Sequence, residues 1–598
     1  MPSLEGKVAT IANSLGIELS LLACFAVGLV IYYRAASVPH YIAATVAVSW
    51  FLGFCGTLLL PADIADAEES GEDRVWLSWL WQVVYWTTFY LTWLVLPTLN
   101  AAWHTGEFTW RGRIRAALLR NLRTLLVQIV IGLACIAYLL FQGSVTLSSL
   151  SGFLMASGNT YGLMLIVLLL GHGLVEVPRV LWSRSFPEKA LHELYFRATE
   201  LDMDYFDALY ELEDTETALD NFEADLRRKE EWGVPPDLAD RFRSMKASRD
   251  AFRREAPAFG FEASGGTGGR LGQLSGARDK EAGVAAGMSE ITRSTSATNL
   301  HGALVDLNCK LRSSQEKLVA TGLRWQALVD SADVLTQVTS RELPYPAPLP
   351  AGGGALQTLQ LWVARALWFW HMKAGSAVRK VLACLAAFLS ALIIWSEVLI
   401  GSPVSLSPFD WLLSRISEHS DNAFFVQVAS MIPFLYMSLC CFRSLFKLRL
   451  FGVLSLNRGQ SLPGPLLFNA QYLIRLQFPL GYNFLLILRY GGRKTAFQGL
   501  MNRMTVVPLL GTSFNVYMPI CMVVLCIFTY KNGYAHLLRL VGLEHADLVD
   551  PSDSEWQSRL LEGKRLIERA KRPARRVEHQ GLVDSIEIGE DDADWPPI

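Results

Sequence analysis

The chain has 598 residues, of which 51% are hydrophobic and 18% charged, with a mean hydropathy of +0.27. Soluble domains carry roughly 25% charged residues, so this composition excludes an ordinary soluble enzyme, a disordered protein and a small disulfide scaffold. A formal net charge of -2 and a pI near 6.6 leave no whole-chain bias toward nucleic acid.

The apolar residues are gathered into stretches long enough to cross a bilayer, which takes about 20 residues of helix. They are residues 14–33, 41–60, 77–100, 124–141, 152–175, 380–400, 424–442, 465–488 and 510–530. Backbone in lipid must satisfy its own hydrogen bonds, so runs of this length predict helices. The expected fold class is therefore all-α: a polytopic integral membrane protein of about nine transmembrane helices with a cytosolic coiled-coil insert. The first stretch is expected to stay on the chain, because Glu5 and Lys7 precede it without a basic bias and no small-x-small site closes it.

Lys and Arg in the short loops set orientation. Arg111, Arg113, Arg115, Arg120 and Arg123 follow the third stretch, and Arg443, Lys447, Arg449 and Arg458 follow the seventh. Asp63, Asp66, Glu68, Glu69, Glu72 and Asp73 follow the second, against Arg74 alone. The alternation predicts an external or lumenal amino terminus and a cytosolic carboxyl terminus. Arg489, Arg493, Lys494 and Arg503, after the eighth stretch, run against it. They point either to a partly re-entrant segment or to a different span count there.

The organisation expected is a membrane bundle over residues 1–175, a cytosolic insert over 176–355, an interfacial helix over 356–379, a second bundle over 380–530 and a cytosolic tail over 531–598. The insert is too long for a connection. Its first helix, near residues 200–226, has a run of acids and Tyr205, Leu209, Leu212, Leu219, Phe222 and Leu226 at helical spacing. Its second has Leu304, Leu307, Leu311, Leu318, Trp325, Leu328 and Leu335 on one seam, interrupted by Ser314 and Thr321. Such seams pack on another helix, which predicts an antiparallel hairpin and a protein partner docking on it. The acidic run suits a basic partner or is simply solvated surface. Residues 259–287 between the helices are Gly- and Ser-rich, the composition of a flexible bridge.

Residues 356–372 mix Trp362, Trp368, Phe369 and Trp370 with Arg365 and His371, which suits the headgroup region. In the tail, residues 555–576 predict a basic amphipathic helix whose Lys564, Arg565, Arg569, Lys571, Arg572, Arg575 and Arg576 would contact an anionic lipid surface. Leu560, Leu561, Leu566 and Ile567 form its apolar edge. The competing reading is a soluble helix neutralised by the acidic tail at residues 584–594.

Eight of the cysteines, Cys24, Cys55, Cys135, Cys384, Cys440, Cys441, Cys521 and Cys526, fall in or beside apolar stretches without a CxxC pair, and read as reduced thiols. Cys440 and Cys441 also stand at the cytosolic end of the seventh stretch beside Arg443, as candidate acylation sites. No HExxH, GxSxG or GxxxxGK[ST] occurs, and the histidines lack metal-ligand spacing. No enzyme activity, metal or cofactor is expected.

The polar residues within the apolar stretches are costly to bury and are functional candidates. Glu18 and Glu397 lie within spans, and Arg475 stands in the eighth shortly before Pro479, Gly481 and Asn483. Pro and Gly there would break the helix and line a ligand cavity, or merely kink it around a structural Arg475.

Residues 158–182, GNTYGLMLIVLLLGHGLVEVPRVLW, resemble the limb-region/lipocalin-interacting membrane receptor (LIMR) family and, within it, the branch of LMBR domain-containing proteins of the second type. So do residues 85–110, Ile394-Trp395-Ser396-Glu397, Tyr517-Met518-Pro519 and Glu562-Gly563-Lys564. The resemblance implies nine spans, an external amino terminus, a coiled-coil cytosolic loop, and a place in the plasma or an endolysosomal membrane. It also implies a receptor-like or scaffolding role in receptor signalling and endocytic uptake. The alternative is a transporter for a lipophilic or vitamin-like molecule through a cavity near a broken eighth span, since one family branch is implicated in lysosomal cobalamin export.

Overall fold

A computed structural model describes residues 4–35, 38–70, 75–141, 150–229, 236–255, 297–342, 344–346, 355–400, 407–419, 423–447, 456, 458–459, 461–488, 495–501, 514–531, 533 and 556–571. Among them the secondary structure is helical apart from turns and one isolated bridge, Arg34 with Ser461. Where they are described, the nine apolar stretches fall on helices, apart from terminal residues in turns, Leu399 and Ile400 among them. In chain order these are α1 (Leu4–Tyr33), α2 (His40–Ser70), α3 (Val75–Tyr90), a π-helical turn (Leu91–Val95), α4 (Leu96–Trp103), α5 (Trp110–Phe141) and α6 (Leu150–Ser183). After the insert come α11 (Gly375–Val398), α12 (Pro408–His419), α13 (Ala423–Lys447), α14 (Pro463–Ile487), α15 (Ala496–Met501) and α16 (Phe514–Tyr530). Among the described residues, six helical stretches are long and apolar enough to cross a membrane: Gly16–Tyr33, His40–Ala67, Trp110–Ala134, Gly162–Ser183, Leu361–Val398 and Phe424–Phe446. The other three expected spans lie on α3–α4, α14 and α16.

The chain divides into two compact units, Met1–Trp182 with Lys380–Tyr534, and Ser183–Arg379 with Ala535–Ile598. The first is a bundle whose outer surface is apolar. On α5, Leu118, Leu122, Leu126, Ile129, Val130 and Leu133 are all exposed. An aliphatic surface this continuous is stable only against lipid. Most of α14 is buried, packed by α2, α4 and α13. Its Phe478 meets Trp81 at 6.1 Å and Phe484 meets Phe434 at 4.9 Å. Each such ring pair adds roughly 0.5–1.5 kcal/mol beyond area burial.

Two expectations change here. α14 is not broken: it runs through Pro479 and Gly481 without interruption. Proline removes one N–H and crowds the preceding turn, but Gly162 on α6 leaves room for the ring, since a Cβ there would lie 2.4 Å from Pro479 Cγ. Likewise α2 continues through Pro61 to Ser70. Asp63 and Asp66 are therefore buried helical residues rather than part of an acidic loop.

The second unit holds α7 (Pro187–Lys229), α8 (Pro236–Glu255), α9 (Ala297–Ser340), α10 (Ala355–Phe369), a second π-helical turn (Trp370–Ala374) and α17 (residues 556–571). α7 and α9 pair along their lengths and run antiparallel, because Tyr195 clusters with Leu328 while Glu211 meets Lys317 at 2.6 Å. Leu212, Leu219 and Phe222 on α7 and Leu304, Leu307, Leu311 and Leu318 on α9 are buried. Ser314 and Thr321 are buried in the seam too, and their hydroxyls donate back to the Leu311 and Lys317 carbonyls. A polar side chain inside a packed seam is tolerated when its hydroxyl finds an acceptor on its own helix. α10 continues into α11 through the π-helical turn with no non-helical residue between them. The Gly-rich bridge at 259–287 and the acidic tail at 584–594 lie outside the described residues.

Candidate functional site

Arg475 is held by aromatic faces and a carbonyl. Its guanidinium lies 4.8 Å from the Trp93 ring centroid and 5.9 Å from that of Tyr472, and Nη2 donates to the Thr92 carbonyl at 3.5 Å. The sequence explains why that carbonyl is available. In the π-helical turn the Leu96 N–H bonds Leu91 O. The next residue, Pro97, has no N–H, so the Thr92 carbonyl lacks an intrahelical donor and accepts from Arg475 instead. A desolvated cation–π contact is worth about 2 kcal/mol. Arg475→Lys keeps the charge but loses the planar stack. It should lower the thermal midpoint of the detergent-purified protein measurably, and an unchanged midpoint would show that the aromatic faces carry no load.

Glu397, on α11, is buried and accepts a hydrogen bond from Asn483 Nδ2 on α14. Glu18 on α1 accepts from Gln427 Nε2 on α13 at 3.4 Å. Gly481 faces Phe497 and Leu60, where a Cβ would sit 3.0 Å from the ring edge. The six intramembrane candidates thus separate. Arg475 belongs to the α3–α4 junction, Glu397 and Asn483 form a pair, Glu18 ties α1 to α13, and Pro479 and Gly481 are packing positions.

Asp63 is a buried polar residue whose role sequence reading missed. Its carboxylate accepts from Trp81 Nε1 at 3.1 Å, Ala496 N at 3.0 Å and Phe497 N at 2.8 Å. It therefore caps α15 from another helix, while Thr495 Oγ1 accepts from Gln498 N at 3.0 Å. α15 folds back onto α2 and α3, with Phe497 and Met501 buried. A re-entrant segment is one of the two readings of the basic stretch after α14; Arg489, Arg493, Lys494 and Arg503 themselves lie outside the described residues.

Cys440 and Cys441 are both 0% exposed. Acylation needs a thiol that an enzyme can reach, so the structure places them as buried thiols and not acylation sites. Acyl-exchange labelling should be the same in the wild type and in a Cys440→Ala, Cys441→Ala double variant. A lower signal in the double variant would contradict this burial.

The acidic face of α7 already meets a basic helix within the chain. On α8, Lys246 lies 2.8 Å from Glu223, Arg249 lies 2.7 Å from Asp220, and Arg253 pairs with Glu216. The hydrogen bonds that Arg253 donates to the Glu216 carboxylate hold its guanidinium above its ordinary range. Arg249 and Glu216 are buried while their partners Asp220 and Arg253 stay exposed. The burial of Leu238, Phe242 and Met245 seats α8 beside these pairs. Their three- and four-residue spacing after Pro236 and Asp237 was the readable signal for this helix.

In the tail helix part of the apolar edge turns inward, while Leu561 is exposed. Ile567 is buried with Leu191, Tyr195, Ala198, Leu328 and Ala332, with Leu560 packed beside it. Leu560 and Ile567, expected to dip into a lipid interface, thus pack on the hairpin. Lys571 Nζ lies 2.8 Å from Asp333. Lys564, Arg565 and Arg569 face outward, and Arg572, Arg575 and Arg576 lie outside the described residues. Among the described residues no group of His, Cys, Asp and Glu could hold a metal ion.

The family model described as LMBR1-like membrane protein matches residues 13–534. The chain belongs to this family. This LMBR1-like chain is 26% identical over 516 residues to an LMBR1 domain-containing protein 2 homolog of Drosophila melanogaster, covering 83% of the chain and 69% of that protein. It is 27% identical over 605 residues to LMBR1 domain-containing protein 2 homolog A of Dictyostelium discoideum, covering 90% and 76%. It is 26% identical over 518 residues to the Homo sapiens G-protein coupled receptor-associated protein LMBRD2, covering 83% and 69%. No solved structure matches it significantly. Part of the stretch at 158–182 that carried the LMBR1-like resemblance serves packing. Arg179 donates to the carbonyls of Thr529 and Tyr530, closing the end of α16 at 3.1 and 2.7 Å. α17 lies beyond the matched stretch.

Proposed function

We propose that the chain is a receptor-associated membrane regulator whose working surface is the helical hairpin. The observation that carries this reading is the second unit, in which two helices of 43 and 44 residues pair into one long hairpin. Several relatives are named G-protein coupled receptor-associated proteins, and the match to the human one covers 83% of the chain, which gives the partner class. The transporter alternative required an interrupted α14 and a cavity at Arg475. With α14 continuous and Arg475 engaged by Trp93, Tyr472 and Thr92, that reading is not favoured. The proposal includes nine crossings, an external or lumenal amino terminus, a cytosolic hairpin and tail, residence in the plasma or an endolysosomal membrane, and no catalytic activity or cofactor of its own.

Tags test the topology. A tag within residues 71–74 should be external or lumenal, whereas one within 230–235 should be protease-protected in intact cells, and digestion of the latter would overturn the orientation. Proximity labelling tests the function. The full chain should label co-expressed G-protein-coupled receptors, and unfolding the hairpin should cut that signal by about tenfold, the effect of losing ~1.4 kcal/mol of binding. Labelling that ignores the state of the hairpin would sink the reading.

A further inference from the structure

The contact between α17 and the hairpin has the form of a helix seated in a prepared groove. α7 contributes Leu191, Tyr195 and Ala198 to it, and α9 contributes Leu328 and Ala332. Small side chains at Ala198 and Ala332, both fully buried, let a third helix approach closely. Gly563 lies against the Tyr195 backbone: a Cβ there would run into the Tyr195 carbonyl oxygen, so no other residue fits without displacing backbone. The remaining contacts follow one face of the helix. The Trp556 ring lies 6.1 Å from His192, the Arg559 guanidinium lies 5.9 Å from Phe196, Ile567 fills the floor, and Lys571 meets Asp333. Along the sixteen residues of 556–571 only Gly563 and Ile567 are buried. So thin an interface is held closed largely by the covalent tether, which supplies a high local concentration without adding contacts.

We propose that this groove is a docking site for a basic amphipathic helix bearing a glycine at its closest approach, an aliphatic residue one turn on and a lysine a further turn on. The chain's own α17 occupies the site as a displaceable plug. The partner chemistry follows from the groove: its floor is apolar and narrow, and Asp333 selects a cation at one end. The inference names the partner chemistry of the hairpin and in that respect rests on the receptor-associated reading. It also accounts for the Glu562-Gly563-Lys564 motif, because the glycine is where the two backbones meet.

The test uses the full chain reconstituted in lipid nanodiscs and a fluorescent synthetic peptide of residues 555–576. Gly563→Leu and, separately, Ile567→Asp in the chain should lift α17 without altering the groove, and each should raise peptide affinity by about tenfold or more over the wild type, as expected when an intramolecular competitor is removed. A peptide carrying Gly563→Leu should not bind any of these chains. Adding Ala332→Leu to the Gly563→Leu chain should fill the groove and abolish binding while helicity by circular dichroism is retained. Equal affinity for wild type and both tail variants, or binding that survives Ala332→Leu, would overturn the proposal. Receptor proximity labelling of the Gly563→Leu chain separates the two readings. Absent peptide binding with receptor labelling intact overturns the groove and leaves receptor association standing.

Discussion

Replacing Asp63 by alanine is expected to produce the largest loss of stability of any single substitution in the bundle. The carboxylate accepts from the Trp81 indole and from the Ala496 and Phe497 N–H groups, at 3.1, 3.0 and 2.8 Å. All three donors are buried with it. Stranding a buried donor costs about 1–3 kcal/mol, so three of them put the loss at about 3–9 kcal/mol, against a domain stability of roughly 5–15 kcal/mol. Asp63→Asn should fall in between, because one amide oxygen remains to accept while the NH2 group faces further donors. The measurement is the thermal midpoint of the purified protein in detergent, together with protease cleavage near α15. A midpoint for Asp63→Ala within a degree of wild type would show that α15 is not held by this carboxylate.

A Leu311→Asp, Leu318→Asp double variant should unfold the hairpin and leave the bundle inserted. Leu311 is 1% exposed and Leu318 7%, both facing α7. Truncating a buried leucine costs about 2–5 kcal/mol, and an aspartate adds the penalty of an unpaired buried charge. The sum exceeds what a few packed helices hold in reserve. Residues 187–340 should become protease-sensitive in permeabilised cells, with the tag at 71–74 unchanged in location. Leu311→Ala alone should loosen the hairpin without unfolding it. If the double variant resists protease as the wild type does, the α7–α9 seam is not what holds this unit together.

How far these features could be read beforehand depended on the range of the interaction. The described parts of the nine apolar stretches are almost wholly helical, because a run of some 20 apolar residues has one low-energy backbone solution in lipid. The hairpin helices were readable for a related reason: apolar residues three and four apart share a face and require something to cover it. Proline misled at Pro479, which was expected to break or kink the eighth span. It lies inside an uninterrupted α14, since neighbouring helices supply packing that an isolated peptide lacks. At Pro97 the missing N–H has a consequence for packing, because it frees the Thr92 carbonyl for Arg475.

The sequence by itself determined that this is a polytopic helical membrane protein with a long polar insert, and it singled out Arg475, Glu397 and Asn483 as residues that would not sit idle in lipid. Tertiary structure alone decided what each would touch. Asp63 finds its N–H donors 433 and 434 positions away, Glu397 finds Asn483 86 positions away, and Gly563 lies against the backbone of Tyr195. A hydrogen bond or a backbone contact leaves no periodic trace in the local chain, because its partner is chosen by how whole helices pack. Burial and periodicity, being properties of neighbouring residues, are written along the chain; pairing is written only in the fold.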